Sequence, residues 1–365
     1  MIPLARPDIG EEEIEAVLSV LRSGRLSLGP ELEGFERAMM DRLGSRHAVG
    51  VSSGTAGLHL LMRAYGIGEG DEVITTPFSF IASANAIAYE RARPVFVDIE
   101  ADSLNIDPAA IEAAITPRTR ALLLVHVFGR AAAMDVLLDI AERHDLLVIE
   151  DACEALGGLW HERPLGSLGH AGVFGFYPNK QITTGEGGIV VTDDVDIAAT
   201  VRSLANQGRD DAGNFPDLGY NYRLSEMQAA LGRIQLRRLD VIMDRRQQVA
   251  TMYNERLRDI DALTLLDPRP DGNALSWFVY VVRVRDLDTR EWVCNELARQ
   301  GIQTGRYFPA IHLQRWYVDQ FGYQRGDFPT TEAAADTTVA LPFYSGMLES
   351  EVDRVCEALK DALTA

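Results

Sequence analysis

The apolar positions of this chain follow first a helical rhythm and then a rhythm of short runs broken by turns. Over residues 11–21 they fall at Ile14, Val17, Leu18 and Leu21, the spacing of one helix face, and residues 31–43 form a second amphipathic helix after a glycine-bearing loop. From Ala48 the pattern becomes apolar run, turn, helix. The run 48–51 leads through Ser52-Ser53-Gly54-Thr55-Ala56-Gly57 into a helix over 58–65. A strand over 71–76 is followed, after Pro77-Phe78-Ser79-Phe80, by a helix reaching Tyr89, and a strand over 94–97 ends at Asp98. The strongly apolar 121–127 precedes a helix over about 134–144, and 146–149 reads as a buried strand running straight into Glu150-Asp151. Strands alternating with helices predict an α/β fold with a mostly parallel sheet covered on both faces. Ligands gather at the carboxyl ends of such strands.

Two further apolar runs, 171–176 and 189–191, flank a polar, glycine-punctuated loop that carries Lys180. They read as strands joined by that loop. A helix over 195–206 follows, then a long helix capped by Ser225 and running through Leu239, continued by another over 241–257. Asp267-Pro268-Arg269-Pro270-Asp271-Gly272 is a turn cluster, after which the pattern changes. Residues 277–284 alternate as an antiparallel strand, 289–299 form a helix, 302–307 a strand and 349–363 a closing helix. The expected organisation is a large α/β domain over 12–245 and a smaller C-terminal α+β domain over 246–365 that also takes in the extended residues 1–11.

Composition narrows the function classes. With 365 residues, 47% hydrophobic and 24% charged, the chain is an ordinary globular protein with room for two cores. A net charge of −19 opposes sequence-independent binding to nucleic acid or an anionic membrane, although local donors can still hold a small phosphorylated ligand. The three cysteines, Cys153, Cys294 and Cys356, are far apart and form no Cys-x-x-Cys pair, so no metal site or disulfide framework is expected. The N-terminal residues lack a signal-type apolar core and no run reaches membrane-spanning length, so the expected location is cytoplasmic.

The candidate chemistry begins with Lys180 in Gly175-Phe176-Tyr177-Pro178-Asn179-Lys180-Gln181-Ile182-Thr183-Thr184-Gly185-Glu186-Gly187-Gly188. A lysine on a turn between two buried strands can be partly desolvated and presented for Schiff-base chemistry; the plain alternative is a surface lysine in a hairpin loop. Asp151, at a strand end after four apolar residues, requires a partner: it either caps the segment after it or meets a protonated heterocycle. The Ser-Gly-Thr turn at a helix start is a ready anion site, and aromatics follow Pro77. Lysine, acidic partner, anion turn and stacking ring together make up the set of parts that a pyridoxal phosphate site needs.

These motifs resemble the sugar aminotransferases of the DegT/DnrJ/EryC1/StrS family, which are fold-type-I pyridoxal phosphate enzymes. The resemblance runs from Gly24–Gly29 through Ser53-Gly54-Thr55-Ala56, Glu150-Asp151-Ala152, Lys180 to Gly188 and Gly219-Tyr220-Asn221-Tyr222-Arg223. It continues to Phe308-Pro309-Ala310-Ile311-His312 and Leu341-Pro342. It implies a large domain with a mostly parallel, seven-stranded type of sheet between helices and a smaller C-terminal α+β domain. It also implies that Lys180 is the catalytic residue and carries pyridoxal 5′-phosphate covalently, with Asp151 on the pyridine nitrogen. Gly54, Thr55 and Ala56 would bind the phosphate, Phe80 would stack on the ring, and Glu154 would lie near the phenolic oxygen. Asn221 would reach the cofactor of a neighbouring subunit, making a homodimer with shared sites. Arg223, His312, Tyr307 and Glu186 would face the substrate. Two departures stand out: Gly175 occupies a position where many members have a phosphate-binding serine, and Glu154 one where many have histidine or glutamine. Some relatives with histidine in place of the lysine are dehydratases; Lys180 favours amino transfer.

The implied function is movement of an amino group from an amino acid, L-glutamate by resemblance, to a nucleotide-linked keto-sugar. Glu154 is similar to perosamine-synthase-like members and tilts the substrate toward a 4-keto-6-deoxyhexose. A 3-keto sugar or keto-cyclitol substrate, and a non-catalytic cofactor-binding regulator, are the other readings left open at this point.

Overall fold

A computed structural model describes residues 1–210, 212–266 and 273–364; the expected turn cluster at 267–272 lies outside them. Two helices, α1 (Glu11–Ser23) and α2 (Pro30–Leu43), lead into the main sheet. The sheet is built from β1 (His47–Val51), β2 (Glu72–Thr75), β3 (Arg93–Phe96), β4 (Thr119–Val125) and β5 (Leu147–Asp151). A small hairpin of β6 (Leu159–Trp160) and β7 (Arg163–Pro164) precedes its last two strands, β8 (Ala171–Gly175) and β9 (Gly188–Thr192). The crossovers are α3 (Gly54–Ala64), α4 (Ala82–Tyr89), α5 (Pro108–Ala114) and α6 (Met134–Arg143), and α7 (Val195–Ala205) follows β9.

Seven strands order as β1-β9-β8-β5-β4-β2-β3. The four pairs from β8 to β3 are parallel, and β9 runs antiparallel to both β1 and β8. The antiparallel edge accords with the chain: the loop between β8 and β9 contains no helix, whereas parallel strands are usually joined by a crossover helix. Along β4 the side chains alternate between two cores. Ala121 and Leu123 join the cluster under α3 and α7, while Leu122 and Leu124 join the one under α2 and α6. Buried on both faces, the strand shows the continuous apolar run seen in the sequence.

After α8 (Glu226–Arg237) comes α9 (Leu239–Leu257). The expected helix through Leu239 is in fact interrupted at Arg238, whose guanidinium is drawn to Asp8 at 2.9 Å and to Glu13 at 2.5 Å. No glycine or proline marks this break. Leu239 and Ile242 belong to the core of the main sheet, but Val249, Ala250, Tyr253 and Leu257 belong to a second core. That core gathers around a three-stranded sheet of β10 (Thr264–Leu265), β11 (Tyr280–Arg283) and β12 (Thr338–Leu341), with α10 (Leu287–Arg299) and α13 (Glu349–Thr364) against it. Ile2 packs into the same cluster. Two helices without clear sequence signals, α11 (Arg315–Phe321) and α12 (Pro329–Thr337), come between α10 and β12 in the chain, and Tyr317 of α11 packs with Ala84 of α4 and Phe96 of β3. Residues 302–307, expected as a strand, make only isolated bridges at Ile302 and Gly305. Among the described residues no helix is long and apolar enough to cross a membrane.

Candidate active site

The carboxyl ends of β4 and β5, the start of α3 and the β8–β9 loop surround a cavity of about 500 Å³. This is where a mostly parallel sheet is expected to receive a ligand. The loop is held by its own backbone and hydroxyls. Phe176 N donates to Gly187 O at 2.9 Å, Thr184 N to Phe176 O at 3.0 Å, and the Thr183 hydroxyl to Phe176 O at 2.9 Å. Gly185 and Gly187 have φ of 81° and 151°, conformations in which a side chain would be strained. Lys180 N donates to Tyr177 O at 2.9 Å, which closes a turn and directs the lysine into the cavity.

Only 14% of the Lys180 side chain is exposed, and its Nζ lies 4.1 Å from the centroid of the Phe278 ring and 3.9 Å from Glu154 Oε1. The chain contains only two lysines, Lys180 and Lys360, a signal that marks Lys180 more sharply than its loop does. Glu154 is buried, and its Oε2 accepts from Phe128 N at 2.8 Å. Burial pushes its carboxyl up to about 7, an effect that nearby Lys180 partly opposes. Asp151, at the end of β5, accepts from the Ser83 hydroxyl at 2.7 Å through Oδ2 and from Cys153 N at 3.2 Å through Oδ1. No helix follows Asp151, so it does not serve as a helix cap.

Ser53 is the N-cap of α3, its Oγ accepting from Ala56 N at 3.1 Å. That bond consumes the Ala56 amide. It leaves Gly54 and Thr55, both in the cavity wall, at the positive end of the helix. Phe80 lies at the cavity mouth and is 60% exposed. The departure at Gly175 has a steric counterpart: a Cβ there would meet Cys153 Sγ at 3.2 Å, so cysteine fills the adjoining space.

The cavity therefore brings together Lys180, Asp151, Glu154, Gly54, Thr55, Phe80, Glu186 and Tyr307. Ala56 lies one residue beyond its wall. Asn221 is exposed elsewhere on the chain, and Arg223 lines a separate cavity with Arg202 and Arg209, donating to Asn206 Oδ1 at 3.0 Å. His312 is fully buried away from the Lys180 cavity, with Nε2 3.0 Å from Glu332 Oε1. Sequence reasoning missed Ser83, Asn179 and Phe278. Phe278 was legible only as one position of an alternating strand pattern, and Ser83 carried no signal at all.

The donor set fits pyridoxal phosphate. Asp151 presents a carboxylate with hydrogen bonds already made to its protein side, and two helix-start amides lie opposite an amine in one cavity. Asn179 Oδ1, buried in the wall, has no hydrogen-bond partner among the described residues and is open to a donor.

A family model described as the DegT/DnrJ/EryC1/StrS aminotransferase family matches residues 7–360. The spore coat polysaccharide biosynthesis protein SpsC of Bacillus subtilis is 39% identical over 376 residues, covering 99% of this chain and 96% of SpsC. GDP-perosamine synthase of Caulobacter vibrioides is 38% identical over 368 residues, covering 99% of this chain and 98% of its own. Among solved structures, S. venezuelae DesV in complex with a ketimine intermediate superposes with a TM-score of 0.91 at 38% identity, covering 96% of this chain and 94% of DesV.

Proposed function

Because the chain belongs to the DegT/DnrJ/EryC1/StrS family of pyridoxal phosphate-dependent sugar aminotransferases, we propose that it moves an amino group from L-glutamate to a nucleotide-linked 4-keto-6-deoxyhexose. The observation that carries this reading is the meeting of Lys180 and Asp151 in one cavity with the start of α3. The relatives support the sugar class: one is a GDP-perosamine synthase and another serves polysaccharide biosynthesis.

Bound there, pyridoxal phosphate supplies an electron sink for the carbon that loses a proton. The rest is done by the chain. Lys180 would hold the cofactor covalently, and its amine, when free, would be placed to accept and return a proton. Asp151, fixed by Ser83 and the Cys153 amide, would keep the pyridine nitrogen protonated. Gly54 and Thr55 N–H groups take the phosphate, and the Ser53 hydroxyl, which accepts from Ala56 N, keeps its own proton to donate where Gly175 offers none. A Glu154 carboxyl that titrates near neutrality can face the phenolic oxygen while holding a proton, which removes the repulsion of two anions. Phe80, at the mouth of the cavity, would cover the ring. Tyr307 and Glu186 line the substrate side of the same cavity.

Asn221, which is exposed, and Arg223, which lines a separate cavity with Arg202 and Arg209, serve the site of a second copy in a homodimer; their absence from the wall of the Lys180 cavity supports this assignment. The location is cytoplasmic. The division between the two domains falls within α9 near residue 245, supported by the passage of that helix from one core to the other.

The test is a pair of half-reactions. L-glutamate should bleach the visible band of the bound cofactor, and a nucleotide-linked 4-keto-6-deoxyhexose should restore it. Restoration by the unactivated ketone at an equal rate would overturn the nucleotide requirement.

A further inference from the structure

Arg246 is a buried cation with no carboxylate partner among the described residues. It is 3% exposed, forms no ion pair within 4 Å among the described residues, and burial alone lowers its pKa to about 10. A guanidinium buried without a counter-charge is costly, so its retention calls for a specific task. Its contacts identify one. Nε donates to Trp277 O at 2.6 Å, Nη2 donates to Phe278 O at 2.7 Å, and the guanidinium carbon lies 4.8 Å from the centroid of Phe343. One planar fork thus holds two successive carbonyls, a geometry that lysine cannot reproduce.

The position of Arg246 in the chain is informative. It occupies the part of α9 between Ile242, in the core of the main sheet, and Val249, in the second core. The segment it grips is fixed from the other side as well: Ser276 N donates to Gly129 O at 3.0 Å, and Gln181, next to the lysine, donates to the Ser276 hydroxyl at 2.6 Å. The Phe278 ring then presents its face to Lys180 Nζ at 4.1 Å and lies nearly parallel to Tyr307, with 5° between the planes.

We infer that Arg246 is a positioning residue that, by holding the carbonyls of Trp277 and Phe278, fixes the Phe278 ring as the surface on which the Lys180 ammonium rests whenever that amine is not bonded to the cofactor. This rests on the reading of Lys180 as the cofactor-bearing lysine. An aromatic face stabilises an ammonium only when the ring is held within about 6 Å and correctly turned. Without the fork, two buried carbonyls lose their donors and the ring loses its registration with the loop. Arg246 touches neither cofactor nor substrate; it acts through Phe278.

The test uses the full-length protein with its cofactor removed and an acylating reagent that labels amines. Labelling of Lys180 is read by peptide mass spectrometry relative to Lys360, the other lysine of the chain. Phe278→Leu should raise the relative rate by about 2-fold to about 30-fold, the range of a cation–π contact. Arg246→Met should raise it comparably, and the double variant no further than the larger single effect, because both act through one contact. Wild-type labelling in Arg246→Met, even with a lowered melting temperature, overturns the inference and leaves Arg246 a packing residue. If Arg246→Met does not fold, Arg246→Lys, which keeps the charge without the fork, takes its place; wild-type labelling there overturns the inference equally. The underlying reading is checked separately by borohydride reduction of the cofactor-loaded protein. A cofactor fixed to any residue other than Lys180 would overturn that reading, whatever the labelling rates show.

Discussion

The Ser83 hydroxyl donates to Asp151 Oδ2 at 2.7 Å, tying the first turn of α4 to the carboxyl end of β5. Both groups are buried. A hydrogen bond to a charged group contributes about 1.5–3 kcal/mol, and this one also fixes the direction in which Asp151 faces the cavity. Ser83→Ala should therefore weaken pyridoxal phosphate binding by roughly tenfold or more, measured by titrating cofactor-free protein. A dissociation constant equal to that of the wild type would mean that the bond serves packing alone.

Glu154 gives a pH dependence with a definite sign. Burial raises its folded-state pKa to about 7 from an ordinary 4.5. Between those values the unfolded chain releases the proton first, so cofactor-free protein should lose stability as pH rises from 4.5 through 7. The size is on the order of 3 kcal/mol. Glu154→Gln, which cannot ionise, should flatten this slope in denaturant melts. A slope unchanged by the substitution would show that Glu154 does not hold its proton.

Much of this site was legible in the sequence, because local patterns encode it. Two apolar runs around a glycine-rich polar loop predicted how Lys180 is presented, and an apolar run ending in Glu150-Asp151 predicted a strand-end carboxylate. Contacts between distant segments left no such trace. Ser83 and Asp151 are 68 residues apart, and only the order in which β2, β4 and β5 assemble brings them together. Phe278 reaches Lys180 because α9 and the 276–278 segment are clamped by Arg246, which no periodicity reports. His312 illustrates the converse. Its motif suggested the substrate side, yet its ring is enclosed by Glu332 and Phe328, since a histidine in a short apolar run reads the same whether it faces a cavity or a core.

That enclosure gives a second pH effect, opposite in sign. Burial lowers the pKa of His312, and Glu332 only partly opposes it. As pH falls below the ordinary value of 6.5, the unfolded chain takes up this proton before the folded one, so stability is lost on acidification. His312→Gln should lessen the loss of melting temperature between about pH 6.5 and pH 5. A wild-type acid profile in this variant would exclude His312 as a source of the acid sensitivity. Because the Glu154 slope runs the other way in the same range, the comparison is cleanest in the Glu154→Gln background.

The wall beside the α3 start is a three-residue fit of Gly54, Cys153 and Gly175. A Cβ on Gly54 would lie 2.6 Å from Cys153 Sγ, closer than van der Waals contact permits, and only 3.4 Å from Gly175 Cα. Cys153 Sγ has little freedom to retreat, since it lies 3.7 Å from Val173 O. Gly54→Ala should therefore destabilise the protein by about 1–3 kcal/mol, the usual result of overfilling a packed site. Cys153→Ala, which removes the sulfur, should restore most of that loss in the double variant, as judged by denaturant midpoints. Cofactor titration of the same double variant then separates two roles of glycine. Recovered stability with recovered affinity means that Gly54 is required only by the cysteine. Recovered stability with weak cofactor binding means that backbone at position 54 must also approach the phosphate more closely than a methyl group allows.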